Sequence, residues 1–146
     1  MKNINYYKIA PEVINHYLAI EKQLKESLTI EKSIFHLIKV RASELNGCAY
    51  CLNLHTTEAL NDGENKERLF LINVFNETGD LFTEREKMAL VITERVTLIS
   101  EYGMDEDFLE DVLDVFTESE YIEILLIINQ INAWNRLSIA TLKPYK

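Results

Sequence analysis

Two cysteines, Cys48 and Cys51, stand three residues apart, and a histidine, His55, follows the second by four. On a helix, Cys51 and His55 lie one turn apart on one face. Cys48, about two turns before His55, shares that face. Both thiols of the chain therefore point one way, beside a side chain that can take a proton near neutral pH. A thiol reacts as its thiolate, and two features of the stretch favour the anion. The first turn of a helix carries a partial positive charge, an effect of about 0.3–1 kcal/mol that acts on both sulfurs and slightly favours Cys48. His55 acts at a chosen sulfur and favours Cys51. The spacing also permits a cycle. One thiolate attacks an oxidant and becomes a sulfenic acid, and the other thiol closes a disulfide that a donor must reopen.

A second chemistry competes with the first. Cys48, Cys51 and His55, with His36 as a fourth, are acceptable tetrahedral zinc ligands, although structural zinc sites usually draw on two separated pairs. The alternative reading is therefore a non-enzymatic zinc-binding or structural oligomer.

The elements that must position these residues read as helices. The chain of 146 residues has four glycines and two prolines, and its apolar residues recur at three and four. That period argues for an all-α protein of about six to seven helices in one domain, residues 1–146. Residues 1–10 read as an extended lead-in. Pro11 opens a helix to about Ser27 with Val13, Tyr17, Ile20 and Leu24 on one stripe. Thr29 is the expected cap of the next helix, from about Ile30 to Leu45, which Asn46-Gly47 stops. The cysteine stretch opens a helix from about Cys48 to Leu60. A short helix follows at about 65–75, then a loop at 76–82. Thr83-Glu84-Arg85-Glu86 is a capping box for a helix over 84–102. Another helix runs from Asp105 to about Phe116. Thr117-Glu118-Ser119-Glu120 caps the last, to about Leu142. That helix is apolar on nearly all sides over 122–131, as expected of a central or interface helix.

Composition narrows the function. A net charge of −9 disfavours nucleic acid and anionic membrane as partners. No apolar run approaches the roughly 18 residues of a membrane span, and residues 1–6 lack the pattern of a signal peptide, so the expected location is the cytoplasm. Two cysteines are too few for a secreted disulfide scaffold. Tyr50 and Trp134 read as packing aromatics, and His16 as a surface residue.

The run Arg41-Ala42-Ser43-Glu44-Leu45-Asn46-Gly47-Cys48-Ala49-Tyr50-Cys51-Leu52-Asn53-Leu54-His55-Thr56 resembles the core motif of the alkylhydroperoxidase AhpD-like family, in the carboxymuconolactone decarboxylase superfamily. The likeness extends through Thr83-Glu84-Arg85-Glu86 and returns at Ile131-Asn132-Ala133-Trp134-Asn135-Arg136-Leu137. It implies an all-α fold, with the CxxC pair opening a central helix, and a homo-oligomer: trimer, hexamer or dimer. It implies thiol-dependent reduction of a peroxide or disulfide substrate without a cofactor, at the expense of a thiol electron donor whose identity is unknown. Cys51 would be the peroxidatic cysteine, Cys48 the resolving one, and His55 part of a proton relay. One position departs from the pattern. The family places a glutamate twelve residues before the first cysteine, where this chain has His36. Glu44, four residues before Cys48, stands where many relatives have glutamine. Either His36 replaces the relay group, or Glu44 supplies the carboxylate, or the relay is impaired. A lactone decarboxylase activity would rest on the superfamily's name alone.

Overall fold

The computed structural model describes residues 2–146, and Met1 lies outside them. Among the described residues it is built of helices: α1 (Tyr6–Ile9), α2 (Pro11–Glu26), α3 (Lys32–Asn46), α4 (Ala49–Asn61), α5 (Lys66–Leu71), α6 (Glu84–Thr97), α7 (Ile99–Tyr102), α8 (Glu106–Leu113) and α9 (Glu118–Ala140). Two short 3₁₀ segments, Ile72–Glu77 and Gly79–Leu81, fill the link between α5 and α6. No helix among the described residues is long and apolar enough to cross a membrane.

α3 is the centre of the fold. Every residue from Ile34 to Val40 is buried, and α4, α6 and α9 all pack on this helix. Ile34, Ile38 and Ala42 face a large cluster completed by Ala89 and Ile92 of α6 and by Ile124, Ile127, Ile128 and Ile131 of α9. Leu37 and Val40 face a second cluster with Ile72, Phe75, Phe82 and Leu90. Each such aliphatic side chain contributes about 1.5–3 kcal/mol by leaving water.

The ends of the helices follow local chemistry. Both capping boxes form: Thr83 with Glu86, and Thr117 with Glu120. Gly47 takes the left-handed conformation (φ 68°) and closes α3, which a side chain with a Cβ would resist. This turn reverses the chain in one step, so that Cys48 caps α4 directly after α3 ends.

Five expectations need correction. The lead-in contains the helical turn α1, capped by Asn5, and buries Tyr6. Thr29 does not cap α3. Its N–H and hydroxyl both donate to the Glu123 carboxylate of α9, so a long-range acceptor displaces the local role. The helix from Glu84 breaks at Leu98, which turns Ile99 out to solvent while Ala89 and Ile92 stay buried. Along α2 the expected stripe divides: Val13 and Ile20 are exposed, Tyr17 and Leu24 are half-buried with Leu24 against the large cluster, and the fully buried residue is Ile14. The last helix buries one face only, leaving Ile122 and Leu126 about half exposed, and the helix wrapped on all sides is α3.

A buried polar network joins α3 to α9. Asn46 Nδ2 donates to Oδ1 of Asn135 (2.9 Å) and of Asn132 (3.0 Å), and Asn135 Nδ2 donates to Ser43 Oγ (3.1 Å). Asn135 is fully buried. Replacing it by alanine leaves the buried Ser43 hydroxyl without this donor, while the Asn46 amide keeps Asn132 and the Ala42 carbonyl as acceptors. The variant Asn135→Ala is therefore expected to lose about 1–3 kcal/mol of stability, read as a lower urea midpoint at an unchanged slope.

Candidate functional site

The site begins at the junction of α3 and α4. Cys48 is the N-cap of α4, and its Sγ accepts the N–H of Cys51 at 3.3 Å. Cys51 lies in the first turn and His55 one turn later, both facing α3 and α9. The two cysteines are joined in a disulfide, with Cα atoms 5.3 Å apart, and each is only 2% exposed. A cavity of about 190 Å³ reaches this pair. Cys51 and His55 line it, together with Glu58, Glu21, Tyr6, Tyr7, Tyr50 and Trp134. Cys51 is therefore the sulfur on the cavity wall.

His55 is 6% exposed, and its Nδ1 lies 3.0 Å from Glu58 Oε2. An ionised carboxylate only accepts, so Nδ1 carries the proton and Nε2 is left as the acceptor. Burial pushes the imidazole below its ordinary pKa. The Glu58 hydrogen bond opposes this, while the charge of Lys39 adds to it. The hydrogen bond from His55 holds the Glu58 carboxyl below the usual carboxylate range. The histidine is thus a neutral base with a fixed tautomer at neutral pH.

Behind His55 lies Lys39 of α3, 2% exposed and ion-paired with Glu21 of α2. The face of Phe35 is 4.6 Å from its ammonium. Desolvation lowers the Lys39 pKa to about 8, against a smaller upward pull from Glu58.

The structure separates the two relay candidates from this cavity. His36 is buried, but its Nε2 bonds to Asp62 at 2.8 Å, and Asp62 also holds Lys32 at 3.0 Å. The His36 Nδ1 is buried without a hydrogen-bond partner among the described residues. Glu44 pairs with Arg41 at 3.0 Å and lines a different groove, an apolar one of about 640 Å³ that contains neither sulfur. The carboxylate that meets His55 is instead Glu58. The zinc alternative finds no gathered ligand set: no group of three or more His, Cys, Asp or Glu side chains among the described residues is arranged to hold a metal ion.

Sequence reasoning missed Glu58, Lys39 and Glu21, and it read two cavity-wall residues, Tyr50 and Trp134, as packing. Glu58 had a signal, since it stands three residues after His55 on the same helical face. Lys39 had a weaker one, as a lysine within an apolar stretch. Glu21 had none, because its role depends on the ion pair that α2 makes with Lys39 of α3.

The buried lysine gives a pH dependence of known sign. Its pKa is about 8 folded against 10.5 in the open chain, so between these values the unfolded state binds more protons. Stability due to Lys39 therefore rises with pH across that window, by up to about 3 kcal/mol. Unfolding titrations at pH 7.5 and 10 are expected to show wild type gaining on Lys39→Met as pH rises. A constant difference would refute the buried charge.

Comparison with known proteins agrees with this architecture. Residues 11–93 match the model of the carboxymuconolactone decarboxylase family. An uncharacterised protein of Bacillus subtilis, YdfG, is 39% identical over 139 residues, covering 95% of this chain and 93% of the relative. The crystal structure of an Agrobacterium tumefaciens protein of unknown function, described as a candidate AhpD antioxidant defence protein, superposes with a TM-score of 0.93 at 34% identity, over 100% of this chain and 99% of that one. A debrominase in complex with 2,3,4-tribromopyrrole shares the fold at TM-score 0.80 and 20% identity, over 95% of this chain and 73% of that one. By its matched domain and its close structural relative, the chain belongs to the carboxymuconolactone decarboxylase family, among the AhpD-like proteins.

Proposed function

We propose that the protein is a thiol-dependent oxidoreductase that reduces hydroperoxides through Cys51 and Cys48. The observation that carries this reading is the closed Cys48–Cys51 disulfide, with Cys51 on the wall of the cavity that His55 also lines. In the reduced protein, His55 Nε2 takes the Cys51 thiol proton. The thiolate attacks the terminal oxygen of the hydroperoxide, the O–O bond breaks, and the sulfur becomes a sulfenic acid. The alkoxide leaves as the alcohol with the proton that His55 held. Cys48 then attacks the sulfenic sulfur, water is released, and the disulfide closes. An external dithiol reopens it by exchange, supplying two electrons and leaving as its own disulfide. Glu58 fixes the tautomer of His55 and balances the imidazolium while it exists. Neither His36 nor Glu44 has a part in these steps. A disulfide that must be reopened in every cycle suits a reducing compartment, which favours the cytoplasm.

The functional test is hydroperoxide consumption with a dithiol donor. Cys51→Ser is expected to lose turnover completely. Cys48→Ser should give about one equivalent of alcohol per subunit and a sulfenic acid that dimedone traps. Equal rates in Cys51→Ser and wild type would overturn the reading.

We also infer a homo-oligomer. Ile9 is 72% exposed, and Val13, Ile20, Ile122 and Leu126 are each about half exposed, apolar surface that a second copy of the chain would cover. Light scattering on the eluted protein should give a mass of at least two 17.0 kDa chains.

A further inference from the structure

We propose that Lys39 and Glu21 form a buried charge pair that sets the protonation state of His55, which makes them positioning residues for the chemistry at Cys51. The relevance to Cys51 rests on the oxidoreductase reading above, whereas the electrostatic claim stands by itself.

The geometry comes from three helices. α3 supplies Lys39, α2 supplies Glu21, and α4 supplies His55 and Glu58. The Lys39 ammonium is almost wholly out of water and makes its ion pair with Glu21. The Phe35 ring beneath it favours the cation. The second oxygen of Glu21 is buried with no hydrogen-bond donor among the described residues, and Lys39 is the cation that balances this carboxylate. Glu21 also lines the cavity that holds Cys51 and His55.

The charges around His55 can be taken element by element. On its own helix there is Glu58. From α3 come Lys39 and His36, and from α2 come Glu21 and, acting on Glu58, Lys25. α9 contributes Trp134 and Ser138, which carry no charge, and α1 contributes Tyr6 and Tyr7, neutral near pH 7. Lys143 is taken up by the rings of Tyr6, Tyr7 and Tyr50. Lys39 is therefore the buried cation that opposes protonation of His55, and Glu21 moderates it. A dry unit charge several ångströms away moves a neighbour's titration by roughly half a unit to a unit or more.

His36, the relay candidate on α3, bonds to Asp62 rather than to His55. Three residues on along α3, Lys39 brings a carboxylate in from α2 instead.

The decisive experiment follows the His55 imidazole by NMR against pH in wild type, Lys39→Met, Lys39→Arg and Glu21→Gln, with His36→Gln to assign the signals. Losing the cation should raise the His55 midpoint by about half a unit or more, and losing the carboxylate should lower it by a similar amount. Lys39→Arg should stay within about 0.2 unit of wild type. A merely structural pair would behave differently: either loss would loosen the packing and raise the midpoint toward its solvent value. Midpoints that move in one direction in both variants, or in neither, would overturn the proposal. Should Lys39→Met fail to fold, the direction of the Glu21→Gln shift decides alone. If opposite shifts appear in a protein that consumes no hydroperoxide, the charge pair stands and only the peroxidase reading falls.

Discussion

A helix buried on every side cannot carry a polar side chain unless another element brings it a partner, because an unpaired group out of water costs more than a typical hydrogen bond returns. α3 carries three such residues, and each recruits a different neighbour. His36 takes Asp62 from the end of α4, Lys39 takes Glu21 from α2, and Ser43 takes Asn135 from α9. The apolar clusters hold the helices together without choosing their register. The polar partners choose it, because each pairs one residue with one other. The sheer burial of α3 thus becomes a set of specific tethers, and one of them ends beside the disulfide.

The same constraint explains the character of the site. The sulfur pair, its base and the carboxylate on that base all belong to the first three turns of α4, a single rigid unit. Their environment is supplied from outside: aromatic walls from α1 and α9, and charge from α2 and α3. Reactive atoms and electrostatic setting can therefore vary independently. A fold shared with a debrominase at low identity is what such a division permits, although fold likeness alone assigns no activity.

What could be read from the sequence was whatever is local. Cys48, Cys51 and His55 sit within eight residues, and the helical period alone placed them on one face. Both capping boxes and the Gly47 stop depend on neighbours three or four residues away, and they form as read. The family motif was equally local. What could not be read depended on packing. Thr29 has cap chemistry yet binds Glu123, 94 residues on. The apolar residues of α9 ran long enough to look central, whereas the more polar α3, with its His, Lys and Arg, takes the centre. Glu44 was a relay candidate only through its place in the family pattern; as an ordinary helix neighbour three residues from Arg41 it pairs with that residue. Glu21 lies 34 residues before His55 in sequence, and only the packing of α2 in the folded chain puts both on one cavity wall.

The two ends of the chain meet at the rim of the sulfur cavity. The Ile4 N–H bonds to the Thr141 carbonyl at 3.0 Å, and Lys143 rests on Tyr50 and bonds to the Tyr6 hydroxyl at 3.1 Å. Tyr6, Tyr7 and Tyr50 belong both to this seam and to the cavity wall. A change that loosens this seam, such as loss of the Lys143 ammonium between the three rings, would therefore be felt at the wall beside Cys51 although it lies 92 residues away in sequence.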